Sequence, residues 1–123
     1  MIVMNSNPRI LLVDDESDIT FSISIGLEDG GFEVHTFNNP LKALSNFKSG
    51  LYTLAIIDVK MPEMNGIDLC KEIRKIDGNV RICFLTAFDS QYEEFRCYSD
   101  CFIQKPITIE DLVTKVKNEL KTN

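Results

Sequence analysis

Short apolar runs alternate along the chain with longer segments in which apolar residues recur every three or four positions. The short runs are typical of strands buried on both faces of a parallel sheet. We predict strands at Arg9 to Val13, Phe32 to Phe37, Leu54 to Ile57, Val80 to Leu85 and Cys101 to Ile103. A helix is predicted after each strand. This order predicts five β-α units, with right-handed crossovers and helices on both faces of one sheet.

The segment from Glu16 to Glu28 fits two patterns. The letters "ITFSISIG" alternate apolar and polar residues as a strand does, yet Ile19, Ile23 and Leu27 also share one helical stripe. We predict a helix, because acidic residues crowd its first turn and Gly30-Gly31 follows its end.

The remaining helices have clearer boundaries. Pro40 stands near the first position of the second helix, and the loop "MPEMNG" precedes the third. The fourth is predicted around Ser90 to Cys97. The apolar positions assigned to the second, third and last helices are Leu41, Leu44 and Phe47; Ile67, Cys70 and Ile73; and Ile109, Leu112, Val113, Val116 and Leu120.

Length and charge narrow the possible functions. A chain of 123 residues with 44% hydrophobic residues predicts one core, with residues 1–8 as a tail and residues 9–123 as the domain. Thirteen basic and nineteen acidic residues give a net charge of −6, which disfavours direct binding to nucleic acid or an anionic membrane.

No membrane span or signal peptide is predicted, so we expect a cytoplasmic protein. Only "KTN" follows the last helix, so we expect a stand-alone regulator or a fragment of a longer one.

The four cysteines form no CxxC pair, and the only histidine, His35, lies far from them in the sequence. We therefore expect reduced, mostly buried thiols, as in a cytosolic protein, rather than a disulfide framework or a metal site.

Polar residues capable of chemistry follow four of the predicted strands. They are Asp14 and Asp15, Asp58, Thr86, and Lys105. In parallel α/β sheets ligands bind outside the carboxyl ends of the strands, so these side chains are expected to meet at one edge. Adjacent carboxylates repel each other unless a positive group holds them, which predicts a bound cation.

The donor types predict which cation binds and what chemistry follows. Carboxylate oxygens favour Mg²⁺ or Mn²⁺, with Asp14, Asp15 and Asp58 as ligands together with a backbone carbonyl near Lys60. A carboxylate such as Asp58 can also form an aspartyl phosphate. Lys105 and the Thr86 hydroxyl would then hold the phosphoryl oxygens.

With these residues in place, the chain resembles the receiver domains of two-component response regulators from Arg9 to about Leu120. The matching motifs are "LLVDDE", "IIDVKMPEMNG", "FLTA" and "FIQKP". Each motif alone is weak, but together, in order and at strand ends, they are specific. The resemblance implies a flavodoxin-like three-layer α/β fold with strand order 2-1-3-4-5.

The resemblance also implies a role for each site residue. Asp58 resembles the phosphoacceptor, which takes its phosphoryl group from a histidine kinase or histidine phosphotransferase, and Asp14 and Asp15 resemble the Mg²⁺-binding pair. Thr86 resembles the switch hydroxyl and Phe102 the switch aromatic residue. Lys105 resembles the family's lysine, followed by a cis peptide bond to Pro106. Such a domain is mainly a signalling switch that catalyses its own phosphorylation and dephosphorylation; the effector is not indicated.

Three features depart from the usual family pattern. The segment from Thr86 to Lys105 is shorter by about three residues, nearly one turn of helix, which predicts a shortened fourth helix or following loop. Phe21 and Ile25 lie opposite the core stripe of the first helix, either as two scattered exposed residues or as a docking stripe for a partner helix. Lys60 and Phe88 flank the site, and their bulk predicts a long-lived phosphoryl state.

Two other functions fit the residues less well. A small-molecule phosphatase or phosphotransferase with an aspartyl intermediate usually carries a second acid two residues after the nucleophile, where this chain has Lys60. A nucleotide- or flavin-binding module would need a glycine-rich loop after the first strand, where this chain has "DDESD".

Overall fold

Five parallel strands form one sheet in the order β2-β1-β3-β4-β5, as predicted. The structure is a computed structural model that describes residues 7–87 and 100–121. Its strands are β1 (Arg9–Val13), β2 (Glu33–Phe37), β3 (Leu54–Asp58), β4 (Arg81–Ala87) and β5 (Cys101–Lys105). Its helices are α1 (Ser17–Asp29), α2 (Pro40–Asn46), α3 (Gly66–Ile76) and α4 (Ile109–Lys121). None of these helices is long and apolar enough to cross a membrane.

Alternate residues of the central strands supply two separate cores. Leu11 and Val13 of β1 face the layer that includes residues of α2 and α3, whereas Ile10 and Leu12 face the layer that includes residues of α1 and α4. Strands β1 and β3 have partners on both sides and helices on both faces, so nearly every one of their residues is buried. This accounts for the apolar runs that predicted them.

The ambiguous segment is a helix, because burial follows the helical stripe. Thr20, Ile23 and Leu27 are buried, whereas Phe21 and Ile25 face solvent. The helix ends at Asp29 and is capped by Gly30, and Gly31 adopts a positive φ of 99°, a conformation that glycine reaches without steric cost. The N–H of Phe32 then donates to the Leu27 carbonyl, which closes the turn into β2.

Some predicted boundaries and positions need correction. β4 continues two residues past Leu85, and β5 continues from Ile103 to Lys105, because both strands remain paired to their ends. Leu41 is 49% exposed rather than in the core, whereas Ala43 is fully buried and Leu44 packs against the core. The helix predicted around Ser90 to Cys97, and with it the shortened segment, lies outside the described residues.

Cys83 of β4 and Cys101 of β5 form a disulfide, so the expectation of reduced thiols is wrong for this pair. The register of the two strands places these residues opposite each other, with their Cα atoms 4.5 Å apart. Their separation of 18 residues carries no signal of such pairing. Cys70 is a buried thiol, as expected, and burial raises its pKa to about 11.

The end of β3 packs directly against the start of α3 at Gly66. A Cβ atom on Gly66 would overlap the Asp58 carbonyl oxygen and would lie 2.9 Å from Cα of Val59. The Gly66 N–H also donates to the Val59 carbonyl at 2.8 Å. Because the neighbours are main-chain atoms, a side chain there cannot be accommodated by a rotamer change.

We therefore expect Gly66→Ala to lower the free energy of unfolding by about 2–3 kcal/mol, the cost of overpacking against rigid backbone. Gly78→Ala is the matched control, because a Cβ atom at Gly78 has no neighbour within 4 Å. Urea denaturation monitored by circular dichroism measures both variants. Equal stability of the two variants would show that α3 does not approach β3 this closely.

Candidate functional site

The carboxyl ends of β1, β3 and β5 bring three of the predicted site residues into contact. The Lys105 ammonium nitrogen lies 3.1 Å from Oδ2 of Asp14 and 3.6 Å from Oδ1 of Asp58. It also lies 3.8 Å from Oε1 of Glu16. Lys105 and Asp14 are 91 residues apart in the sequence, and the parallel sheet that contains both β1 and β5 brings them together. The ammonium is thus a positive partner of Asp14, the first acid of the pair that follows β1.

Asp14, Asp15 and Asp58 form a cluster that could hold a metal ion. Each offers a carboxylate oxygen, and the three oxygens lie within 4.8 Å of one another. Asp14 is fully buried and Asp58 is 5% exposed, whereas Asp15 faces solvent. Hard oxygen donors at this spacing fit a small divalent cation, which takes one or two carboxylates and retains several waters. The donor set therefore suits Mg²⁺ or Mn²⁺.

The electrostatics of the cluster show that Lys105 balances its negative charge only in part. Burial, the charge of Asp14 and, more weakly, that of Asp15 raise the pKa of Asp58 from 3.8 to about 7, despite the opposing effect of Lys105. Burial alone would lower the pKa of Lys105, but the carboxylates of Asp58, Asp14 and Glu16 together raise it. One ammonium group therefore leaves the negative charge incompletely balanced, which favours a bound cation.

Asp14 is held at every polar atom. Its Oδ1 accepts from the Glu16 N–H at 2.9 Å, and its Oδ2 accepts from Lys105. Its main-chain N–H donates to the Phe37 carbonyl at 3.2 Å, and its carbonyl accepts from the Asn38 side chain at 2.7 Å. Sequence reasoning did not assign Asn38, because it considered the ends of four strands and not the end of β2. Its position one residue after that strand was the available signal.

The two predicted switch residues lie on the neighbouring strands β4 and β5. Thr86 is buried, and its hydroxyl donates to the Ala87 carbonyl at 3.0 Å. Phe102 is half-buried and meets Phe84 edge to face, with ring centroids 5.7 Å apart. The Lys105-Pro106 peptide bond is cis, as expected. The movement of Thr86 and Phe102 remains a prediction.

A cavity of about 600 Å³ opens beside the acidic cluster. Its polar lining consists of Asp15, Lys60, Asn65, Asp68 and Lys71. The cavity gives the exposed side of Asp15 an open approach. Lys60 is exposed at this edge, and Phe88 lies outside the described residues. The shielding role of these two side chains therefore stays a prediction.

Comparison with known proteins identifies the family. The profile of the response regulator receiver domain matches residues 10–117. The chain belongs to this family. The transcriptional regulatory protein CpxR homolog of Haemophilus influenzae is 37% identical over 116 residues, which cover 92% of this chain and 50% of that protein. The transcriptional regulatory protein PrrA of Mycobacterium leprae is 33% identical over 119 residues, which cover 94% of this chain and 51% of that protein. The receiver chain thus spans about half the length of these relatives.

Solved receiver structures share the fold. A CheY-like receiver domain protein from Methanospirillum hungatei superimposes with a TM-score of 0.85 and 28% identity, covering 94% of this chain and 95% of that one. The response regulator TrrA from Thermotoga maritima, solved in complex with Mg(2+)-BeF, has a TM-score of 0.81 and 36% identity, covering 91% of this chain and 98% of that one. The predicted flavodoxin-like receiver fold is confirmed.

We expect the buried carboxyl of Asp58 to appear in the pH dependence of stability. Because its pKa is raised in the folded chain, the folded state binds more protons than the unfolded state between pH 3.8 and about 7. This contribution makes the free energy of unfolding fall as pH rises through that window. Asp58→Asn removes the contribution, so without metal the variant should be more stable than wild type at about pH 8 by on the order of 4 kcal/mol.

Urea denaturation in EDTA across the pH range measures this difference, which should vanish at about pH 4, where Asp58 is protonated. Asp29→Asn is the control, since Asp29 is exposed at the end of α1. A constant gap between Asp58→Asn and wild type across the window would contradict the raised pKa.

Proposed function

We propose that this receiver accepts a phosphoryl group on Asp58 in a cytoplasmic phosphorelay, from the phosphohistidine of a histidine kinase or histidine phosphotransferase. The observation that carries the proposal is the contact of Lys105 with Asp14 and Asp58 inside a cluster of three carboxylates. A bare acidic cluster would repel a phosphoryl group. An ammonium group paired with two of the three carboxylates, together with a divalent cation, makes the cluster attractive to a phosphoryl group.

In the transfer, an Oδ atom of Asp58 attacks the phosphorus of the donor. The new O–P bond forms as the P–N bond to the donor imidazole breaks, and the imidazole leaves with its electron pair and takes up a proton. Asp58 must be ionised to attack, and its raised pKa marks the cost of that charge in the absence of metal. Lys105, already 3.6 Å from Asp58, stabilises the negative charge on the phosphoryl oxygens.

We further propose Mg²⁺ as the cofactor, held by Asp14, Asp15 and Asp58 with the backbone carbonyl of Lys60. When bound, the ion neutralises carboxylate charge and lets Asp58 stay ionised beside an incoming anion. Mn²⁺ has the same preference for oxygen ligands and should substitute. The response regulator TrrA was solved with Mg(2+)-BeF, which supports this choice.

The phosphorylated site then shifts a conformational equilibrium. Thr86 at present donates to the Ala87 carbonyl, so its hydroxyl must exchange that bond for one to a phosphoryl oxygen. Phe102 of β5 is the register partner of Phe84, which lies two residues before Thr86 on β4. A phosphoryl group adds charge and acceptor oxygens that only one arrangement of these residues satisfies. We infer that effectors recognise that arrangement by direct contact.

The phosphatase alternative is not favoured. Hydrolysis of small phosphate esters would need an acid to protonate the leaving group two residues after Asp58. That residue is Lys60, which is exposed at the edge of the site and carries the opposite charge.

Intact mass measurement after incubation with acetyl phosphate and Mg²⁺ tests the chemistry. We expect wild type to gain the mass of one phosphoryl group, and Asp58→Asn to gain none because the nucleophile is gone. Asp29→Asn, the same change at an exposed position, should gain the adduct as wild type does. An equal adduct on Asp58→Asn, or none on wild type, would contradict the proposal.

We also propose that Phe21 and Ile25 of α1 dock a helix of the phosphodonor protein. Their side chains are 67% and 51% exposed, one helical turn apart, so they form a small apolar stripe. Phe21 borders a groove of about 410 Å³ between α1 and the end of β2. Ser17 and Asp18, just after the acidic pair, line the same groove, so a helix seated there lies beside the phosphoacceptor edge.

Replacing Phe21 and Ile25 together by serine should slow transfer from a phosphorylated kinase or phosphotransferase by about tenfold or more, since buried apolar anchors dominate interface energies. Transfer from acetyl phosphate should not change, because the site is intact. The matched control replaces Leu41 and Ile76, which are 49% and 43% exposed on other helices. Transfer reactions stopped at successive times and separated by gel electrophoresis give the rate with the protein donor and the rate with acetyl phosphate. Equal loss with both donors, or no loss, would remove the docking role.

A further inference from the structure

The Asn38 side chain ties the end of β2 to the loop that carries the acidic pair. Its Nδ2 donates to the main-chain carbonyl of Asp14 at 2.7 Å and to the Thr20 hydroxyl at 3.0 Å. The Asp14 N–H donates to the carbonyl of Phe37, the residue before Asn38. Both main-chain polar groups of Asp14 are therefore held by two adjacent residues at the end of β2.

The carbonyl that Asn38 holds belongs to the peptide group between the two acids. Because that group is planar, fixing its oxygen also fixes the direction in which the chain enters Asp15. The two acids point into different environments: Asp14 is fully buried, and Asp15 is exposed beside the 600 Å³ cavity. The orientation of this peptide group thus decides whether both carboxylates reach the same cation.

The bond from Asn38 to Thr20 extends this support into α1. Thr20 is 3% exposed, and its hydroxyl donates to the Ser17 carbonyl at 3.0 Å while it accepts from Asn38. Ser17 begins α1, so Asn38 connects the acid-bearing loop, the first turn of the helix and the end of β2. A loop held on three sides keeps its ligands in place before the ion arrives.

We propose that Asn38 is a positioning residue for the divalent cation, which sets the affinity of the Asp14-Asp15-Asp58 site without contacting the ion. The inference rests on the proposed function, since it assumes that the cluster binds Mg²⁺. Removing a residue that hydrogen-bonds to a metal ligand without contacting the ion commonly weakens metal affinity by about 10–100-fold. The chemical step depends on Asp58 and Lys105, and Asn38 contacts neither in the hydrogen bonds described above.

Titration with Mn²⁺, followed by loss of the free-ion electron paramagnetic resonance signal, tests this in the absence of phosphorylation. We expect Asn38→Ala to bind Mn²⁺ about tenfold more weakly than wild type. The Mg²⁺ concentration for half-maximal phosphorylation by acetyl phosphate should rise by the same factor, while the rate at saturating Mg²⁺ stays within about twofold. Asn46→Ala is the control, because Asn46 also donates its Nδ2 to a backbone carbonyl, that of Lys42, on the exposed side of α2.

Asn38→Asp sets the loss of the hydrogen bond against an added negative charge. The substitution keeps the size of the side chain, removes the donor and adds a negative charge near the cation site. Loss of the donor predicts weaker Mn²⁺ binding than wild type, whereas a purely electrostatic role predicts tighter binding.

Unchanged affinity in Asn38→Ala, tighter binding in Asn38→Asp, or a saturated rate that falls together with affinity would each overturn the positioning role. Failure of wild type itself to bind Mn²⁺ would instead contradict the proposed function.

Discussion

The mutual repulsion of three carboxylates is the constraint on which this site depends. Asp14, Asp15 and Asp58 are held within 4.8 Å of one another, with Asp14 and Asp58 buried. Dispersed on a surface, these groups would ionise independently. In the folded chain, burial and the neighbouring carboxylates raise the pKa of Asp58 to about 7, and the Lys105 ammonium lies 3.6 Å from Asp58. The folded chain thus leaves negative charge at this edge incompletely balanced, and the proposed Mg²⁺ would supply the missing positive charge.

The parallel sheet is what imposes this arrangement. Hydrogen bonding in register aligns the ends of β1 and β3, so Asp14 and Asp58 each follow or complete a strand that is buried on both sides. Lys105, which ends β5 and lies 91 residues after Asp14 in the sequence, reaches the same edge of the sheet. The apolar residues of these strands, packed into two cores, stabilise the fold enough to hold charges that would otherwise separate. Stability of the core and chemistry at the edge are therefore coupled.

Much of the fold and of the candidate site could be predicted from the sequence, because apolar runs and strand-end residues are local signals. The strand order, the helical state of residues 17–29 and the exposure of Phe21 and Ile25 all followed from periodicity together with the family resemblance. The disulfide between Cys83 and Cys101 did not, because it depends on the register of two strands whose separation in sequence carries no signal. Asn38 was missed for a related reason: a single polar residue after a strand acquires its role only from the neighbour that the sheet places beside it.

The most direct measurement is the titration of Asp58 itself, by carbon NMR of protein labelled at the aspartate carboxyl carbons, with the Asp58 signal assigned by its absence in Asp58→Asn. Our prediction is that this carboxyl titrates near neutral pH in EDTA and becomes ionised well below neutral pH when Mg²⁺ is added, because the ion supplies the missing positive charge. A signal that titrates as an ordinary exposed aspartate does, and that ignores Mg²⁺, would contradict it.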